Sequence, residues 1–197
     1  MFIYLWSVKP QKENKVDIIF GATLKLVLQQ GIAGITMRHI ATEAGIATGT
    51  LYIYFKDKET LVNELFNKCR SAALDTYFRG YSEEDGFETS FEKIWYNMLN
   101  HRVANFEEAV FLEQCFHSPF ITETTKEMSN KVLQPLLKFI ERGKLEKKIK
   151  NEDSLLLIIF MIGSVSELIK FTSYWGRTVN KPMTNAAFKI CWDGIKQ

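Results

Sequence analysis

Cysteine is scarce in this chain: Cys69, Cys115 and Cys191 are the three among 197 residues. They are odd in number and far apart, which excludes a disulfide framework and points to reduced thiols in a cytoplasmic protein. Proline is nearly as rare, with four residues, and no stretch alternates strictly between apolar and polar residues within turn signals. Together these exclude a β architecture and leave helix throughout. Net charge is small, +2, so the whole-chain field selects no partner. Long apolar runs are missing too. The longest uncharged internal stretch, residues 154–166, is short of the roughly 20 residues that a bilayer span needs, so no membrane partner is expected. The opening "MFIYLWSVKP" lacks a basic segment before its apolar residues and a small-residue cleavage site, unlike a signal peptide. Residues 1–10 are an extension without an assigned role.

The chemistry of enzymes is also thin. There is no serine in a nucleophile elbow, no glycine-rich phosphate loop and no carboxylate pair with a positioned partner. Glu113, Cys115 and His117 are metal-ligand types, but alternate helical positions do not share a face and no second cluster supports them. No catalytic residue, metal or cofactor is expected, although an all-helical enzyme stays open as an alternative. Lys144, Lys147, Lys148 and Lys150 form a basic run that suits a solvated turn.

What is present is helical periodicity and a mild charge asymmetry. Residues 1–58 hold seven basic and four acidic residues, a surplus of three, which leaves the remainder one negative. That permits nucleic-acid binding at the N-terminal end. Val16, Ile19, Phe20, Thr23 and Val27 share a face of a first helix over 12–30, which Gly31 stops. Thr36 caps a second helix over 37–44, ended by Gly45. Thr48 caps a third, to Phe55, and Asp57 a fourth, to Gly80. "YSEEDG" (81–86) is a turn and a candidate domain boundary. Further helices are expected at 87–103 and 106–116. Ser118 and Pro119 start another, interrupted at Pro135. A polar connector at 142–153 precedes an apolar helix over 153–175, and a last helix begins after Pro182.

The spacing within 37–54 carries the function. Ala41, Gly45 and Leu51 supply what a helix-turn-helix requires: a small residue at the helix crossing, a turn residue tolerant of positive φ, and a branched aliphatic facing the core. On a helical wheel Phe55 lies about 40° from Leu51, so both face inward. Gly49, Thr50, Tyr52, Ile53 and Tyr54 take the remaining arc, with the two tyrosines at its flanks. Small residues at the N-terminal turn, flanked by hydroxyl-bearing rings, suit a helix entering a major groove. Tyrosine hydroxyls, Lys56 and Lys58 suit phosphates. The bland alternative is that Tyr52 and Tyr54 pack between helices.

The stretch "ITMRHIATEAGIATGTLYIYFKDKETLV" resembles the DNA-binding segment of the TetR/AcrR family of transcriptional repressors. The match runs through Thr36, Ile40, Ala41, Ala44, Gly45, Gly49, Thr50, Leu51, Tyr52, Tyr54, Phe55, Lys58, Glu59 and Leu61, and covers about residues 12–66. The resemblance implies an all-α fold: a three-helix DNA-binding head over 1–57 and a helical effector-binding and dimerisation body over 58–197. It implies a cytoplasmic homodimer that leaves a double-stranded, palindromic operator when an effector binds. By position, Thr36, Arg38, Thr48, Gly49, Thr50, Tyr52, Ile53, Tyr54, Lys56 and Lys58 face DNA. His39 sits where the family often has an acid, and Ile53 offers only apolar contact, such as to a thymine methyl. A DNA-binding protein without an effector is the alternative reading.

The body rests on local chemistry. "DSLLLIIFMIGSVSELIKFTSYWG" is apolar nearly all round, with one stripe at Leu155, Ile158, Ile162, Val165 and Ile169, and another at Leu156, Phe160, Gly163 and Glu167. One face serves the subunit's own core and the other a partner. Ile158, Ile162, Val165, Ser166 and Ile169, with Phe188 and Trp192 of the last helix, are the candidates for the dimer interface. A single monomer core is the alternative. An apolar effector is expected between the fourth helix and the 153–175 helix. Its candidate lining is Trp95, Met98, Leu99, Phe111, Cys115, Phe116, Phe139, Phe160, Met161, Phe171 and Trp175, residues that ordinary core packing would also use.

Overall fold

The computed structural model describes residues 14–116 and 118–197. Residues 1–10, the expected helix start at residue 12, and His117 lie outside them. Among the described residues the chain forms ten helices: α1 (Lys15–Gly34), α2 (Met37–Glu43), α3 (Thr48–Tyr54), α4 (Lys58–Tyr77), α5 (Phe87–Ala104), α6 (Phe106–Phe116), α7 (Glu123–Val132), α8 (Gln134–Leu145), α9 (Ser154–Tyr174) and α10 (Lys181–Ile195). The one β-type contact among the described residues is an isolated antiparallel bridge between Ile149 and Lys196.

Helix starts follow cap chemistry. Thr36 accepts from the N–H of His39 at 3.2 Å, and Asp57 accepts from the N–H of Thr60 at 2.8 Å. Two expected caps move. Thr48 is the first residue of α3, and Ala47 holds the cap position without a side-chain bond. Ser118 starts no helix: its hydroxyl accepts from the N–H of Phe120 at 3.2 Å within a turn, and Thr122 caps α7 instead. Pro135 does separate two helices, at the start of α8, and α8 continues through Arg142 to Leu145 before the polar connector begins. Pro182 lies inside the first turn of α10, where its missing N–H is tolerated.

Gly31 interrupts α1 at φ 72°, ψ 159°, and one more helical turn runs to Gly34. The break frees the N–H of Ile32, which donates to Oε1 of Gln114 on α6 at 2.8 Å. α1 therefore packs across α6, a helix distant in sequence.

Two apolar clusters form. The first joins α1, α2, α3 and the start of α4 with Phe111, Leu112 and Cys115 of α6. The second joins the end of α4 with α5, α8, α9 and α10 around Phe91, Trp95, Phe139 and Trp192. Phe87 and Phe139 stack at 4.6 Å in its centre. Full burial of such a side chain stabilises by about 1.5–3 kcal/mol. α1 and α9 each have the length and apolar content of a membrane span, which a count of uncharged residues alone misses, because α1 carries Asp17 and Lys25 and α9 carries Glu167 and Lys170.

Candidate functional site

At the N-terminal end α2 and α3 meet across a tight turn. Gly45 takes φ 66°, and the N–H of Ile46 returns to the carbonyl of Ala41 at 3.0 Å. Positive φ at this point is what glycine supplies without strain. Leu51 is fully buried, and Phe55 packs on Phe20 of α1 at 5.5 Å. These two anchors turn the opposite side of α3 outward. Tyr52 is 52% exposed, Ile53 81% and Tyr54 39%. Thr36, Arg38, Gly49 and Lys56 are exposed beside them, with Thr48 and Thr50 half-buried. The patch thus combines rings, small hydroxyls, one arginine and one lysine on a rigid helix pair. That composition suits a groove walled by phosphates.

The structure places Lys58 elsewhere. Its ammonium donates to the carbonyl of Ile35 at 2.8 Å and lies 4.4 Å from the ring centre of Phe120. Burial pushes its pKa below the ordinary lysine value. The carbonyl left open where α1 ends is the acceptor of this bond. Lys58 therefore ties the α1–α2 junction and the α6–α7 turn to the start of α4. Asn63 strengthens the tie: its Nδ2 donates to the carbonyl of Phe120 at 2.7 Å, and its Oδ1 accepts from the N–H of Thr122 at 3.1 Å.

Behind that turn, between α4, α6 and α7, lies a cavity of about 620 Å³ lined by Phe66, Cys115, Phe116, Ser118, Pro119, Ile121, Lys126, Ser129 and Asn130. Of the expected effector lining only Cys115 and Phe116 reach it. Trp95, Met98, Leu99, Phe139 and Met161 fill the second apolar cluster, Phe111 fills the first, and Phe160, Phe171 and Trp175 are exposed. α5 lies between α4 and α9, where the site was expected, and its Trp95, Met98 and Leu99 are buried in that packing. The polar cavity residues were missed because residues 118–122 read as a helix start instead of a turn. Phe66 and Arg70, one turn apart on α4, were the available signal. A second, more open groove of about 490 Å³ runs along α8 beside Leu137, Arg142 and Leu145.

The interface stripe is corrected as well. Ile158, Val165, Ile169 and Trp192 are buried within their own subunit, while Ile162, Ser166 and Phe188 are half-buried. The indole N–H of Trp95 donates to Ser164 Oγ at 2.9 Å, which helps turn that side of α9 inward toward α5. The outward face carries Leu156, Ile159, Phe160, Phe171 and Tyr174. Glu113, of the metal-type trio, pairs with Lys170 at 2.8 Å. Burial pushes the thiols of Cys69 and Cys115 up to about 12, which removes thiolate chemistry near neutral pH.

Residues 19–65 match the family model described as bacterial regulatory proteins, tetR family, and residues 66–197 match that of a tetracyclin repressor-like C-terminal domain. An uncharacterized HTH-type transcriptional regulator of Haemophilus influenzae is 29% identical over 91 residues, 46% of this chain and 49% of that protein. The chain thus spans about half the length of this curated relative. Among solved structures, a TetR family transcription regulator from Marinobacter aquaeolei shares the fold at TM-score 0.85 and 23% identity, covering 93% of this chain and 96% of that one. The regulator FadR from Bacillus subtilis, solved with stearoyl-CoA, shares it at TM-score 0.73 and 18% identity, covering 91% and 98%.

Proposed function

Because the chain belongs to the TetR family of bacterial regulatory proteins, we propose that it is a cytoplasmic, homodimeric repressor that releases a palindromic operator when a small molecule enters its body. The observation that carries this reading is α3. It buries Leu51 and Phe55 completely and leaves Tyr52, Ile53 and Tyr54 outside, an arrangement that an isolated fold has no use for. Thr36, Arg38, Thr48, Gly49, Thr50 and Lys56 complete the DNA-facing set, with positioning by backbone contacts and discrimination by α3. The outward stripe of α9 supports the dimer, since a two-fold operator needs two heads about 34 Å apart.

Coupling follows from the ties already described. The cavity wall includes Ser118, Pro119 and Ile121, and the same turn is fastened to α4 through Asn63 and Lys58. Gln114 fastens α6 to the break in α1. An occupant that displaces the turn moves the start of α4 and with it the head. A ligand preferring the displaced arrangement shifts the population away from the DNA-competent one.

Selection of bound sequences from random duplex DNA tests the reading. A two-fold symmetric site should emerge, bound with an affinity that falls steeply with salt. Recovery of no preferred sequence would sink it.

A further inference from the structure

The cavity between α4, α6 and α7 is apolar on one side and polar on the other. Phe66 and Phe116 meet edge-on at 6.1 Å, while Ser129 and Asn130 also line the space. One turn beyond Phe66, on the same face of α4, stands Arg70. Its guanidinium carbon is 5.7 Å from the Phe116 ring centre, and Nη2 reaches the Ser129 carbonyl at 3.5 Å. Its Nε is buried and has no hydrogen-bond partner among the described residues. Among the described residues no carboxylate pairs with it; the titratable neighbours that act on it are Tyr77, which favours its charge, and Arg102, of the same sign, which opposes it. Burial holds its pKa below the ordinary arginine value. Arg70 thus borders the space through the lining residues Phe116 and Ser129, and Lys126, the cation within the lining, is already paired with Glu123 at 2.6 Å. A guanidinium offers five N–H donors, and among the described residues one long bond and one ring answer them. A partly buried cation left so far from balance is stabilised by an anion that brings its own acceptors.

Resting on the effector-responsive reading above, we propose that this cavity binds an organic anion with an apolar portion, its carboxylate or phosphate head on Arg70 and its apolar part against Phe66, Phe116 and Ile121. This replaces the purely apolar effector that composition alone suggests. The fork of Arg70 matches either head, because both present paired oxygens.

The full-length protein is titrated calorimetrically with decanoate, decyl phosphate and 1-decanol, below micelle-forming concentrations. At least one anion should bind about tenfold or more tightly than the alcohol, and the better of the two identifies the head group. Arg70→Gln should lower anion affinity to the alcohol's level and leave the alcohol unchanged. Arg70→Lys, which keeps the charge and loses the fork, should recover part of it. Anions no tighter than the alcohol in the unaltered protein, or no anion binding at all, would overturn the proposal without recourse to a variant. So would a folded Arg70→Gln protein that keeps its anion affinity. Operator release is measured separately. Anion binding through Arg70 with no effect on DNA would sink the effector reading and leave this site standing. DNA release by ligands indifferent to Arg70 would do the reverse.

Discussion

Leu51 and Ile53 are both branched aliphatics on the seven-residue α3, and their fates are opposite: one is fully buried, the other 81% exposed. Truncation of an exposed side chain costs the fold little. Ile53→Ala should therefore change the unfolding free energy read from urea denaturation by less than about 0.5 kcal/mol. On the DNA-facing reading it should weaken or relax operator recognition, measured by fluorescence anisotropy on the selected site and its single-base variants. The two lysines behind the rings separate in the same way. Lys58→Ala removes the bond to the Ile35 carbonyl, so it should cost about 1 kcal/mol of stability. Lys56→Ala should leave stability unchanged and lower the slope of log affinity against log salt by about 1. A reduced salt slope for Lys58→Ala with unchanged stability would show that the ammonium leaves its carbonyl to meet phosphate.

Within the elements, α8 and α5 meet where Gly143 faces Phe87. A Cβ added at Gly143 would overlap the Phe87 ring, which cannot retreat because it is stacked on Phe139. Gly143→Ala should destabilise by roughly 1–3 kcal/mol through overpacking, read from denaturant midpoints at constant slope. This glycine is set by a neighbour more than fifty residues away, and nothing in "ERGKLEKK" announces it. The same division runs through the rest of the molecule. Caps and turns that depend on adjacent residues were readable from sequence, as at Thr36, Gly45, Asp57 and Pro135. The inward pair Leu51 and Phe55 was readable from helical spacing alone. Thr48 and Ser118 were not, because a hydroxyl at a plausible start does not reveal whether its bond goes to a helix or to a turn. The face of α9 was hidden for a different reason. A helix apolar on all sides gives no bearing until α5 and α10 are set against it. The cavity was hidden because Phe66, Phe116 and Ser129 come from three helices.

For the whole molecule, the outward stripe of α9 is where assembly is tested. Phe160→Glu places a charge beside Leu156 and Ile159, so a dimer joined there should fall to monomers in sedimentation velocity while keeping its helical circular dichroism. A dimer that survives this change uses another face. The remaining consequence belongs to α4. It gives Leu61, Val62, Leu65, Phe66 and Cys69 to the first apolar cluster, and Ala73 and Tyr77 to the second. Neither cluster can be released without breaking a helix that the other is holding. Melting should then be one cooperative event in calorimetry, not a loose head followed by a firm body. An excised 1–57 fragment would lose α4 and α6 together, and with them the floor under α1. The helix-turn-helix head should therefore be unable to exist as a folded unit without the body that α4 begins.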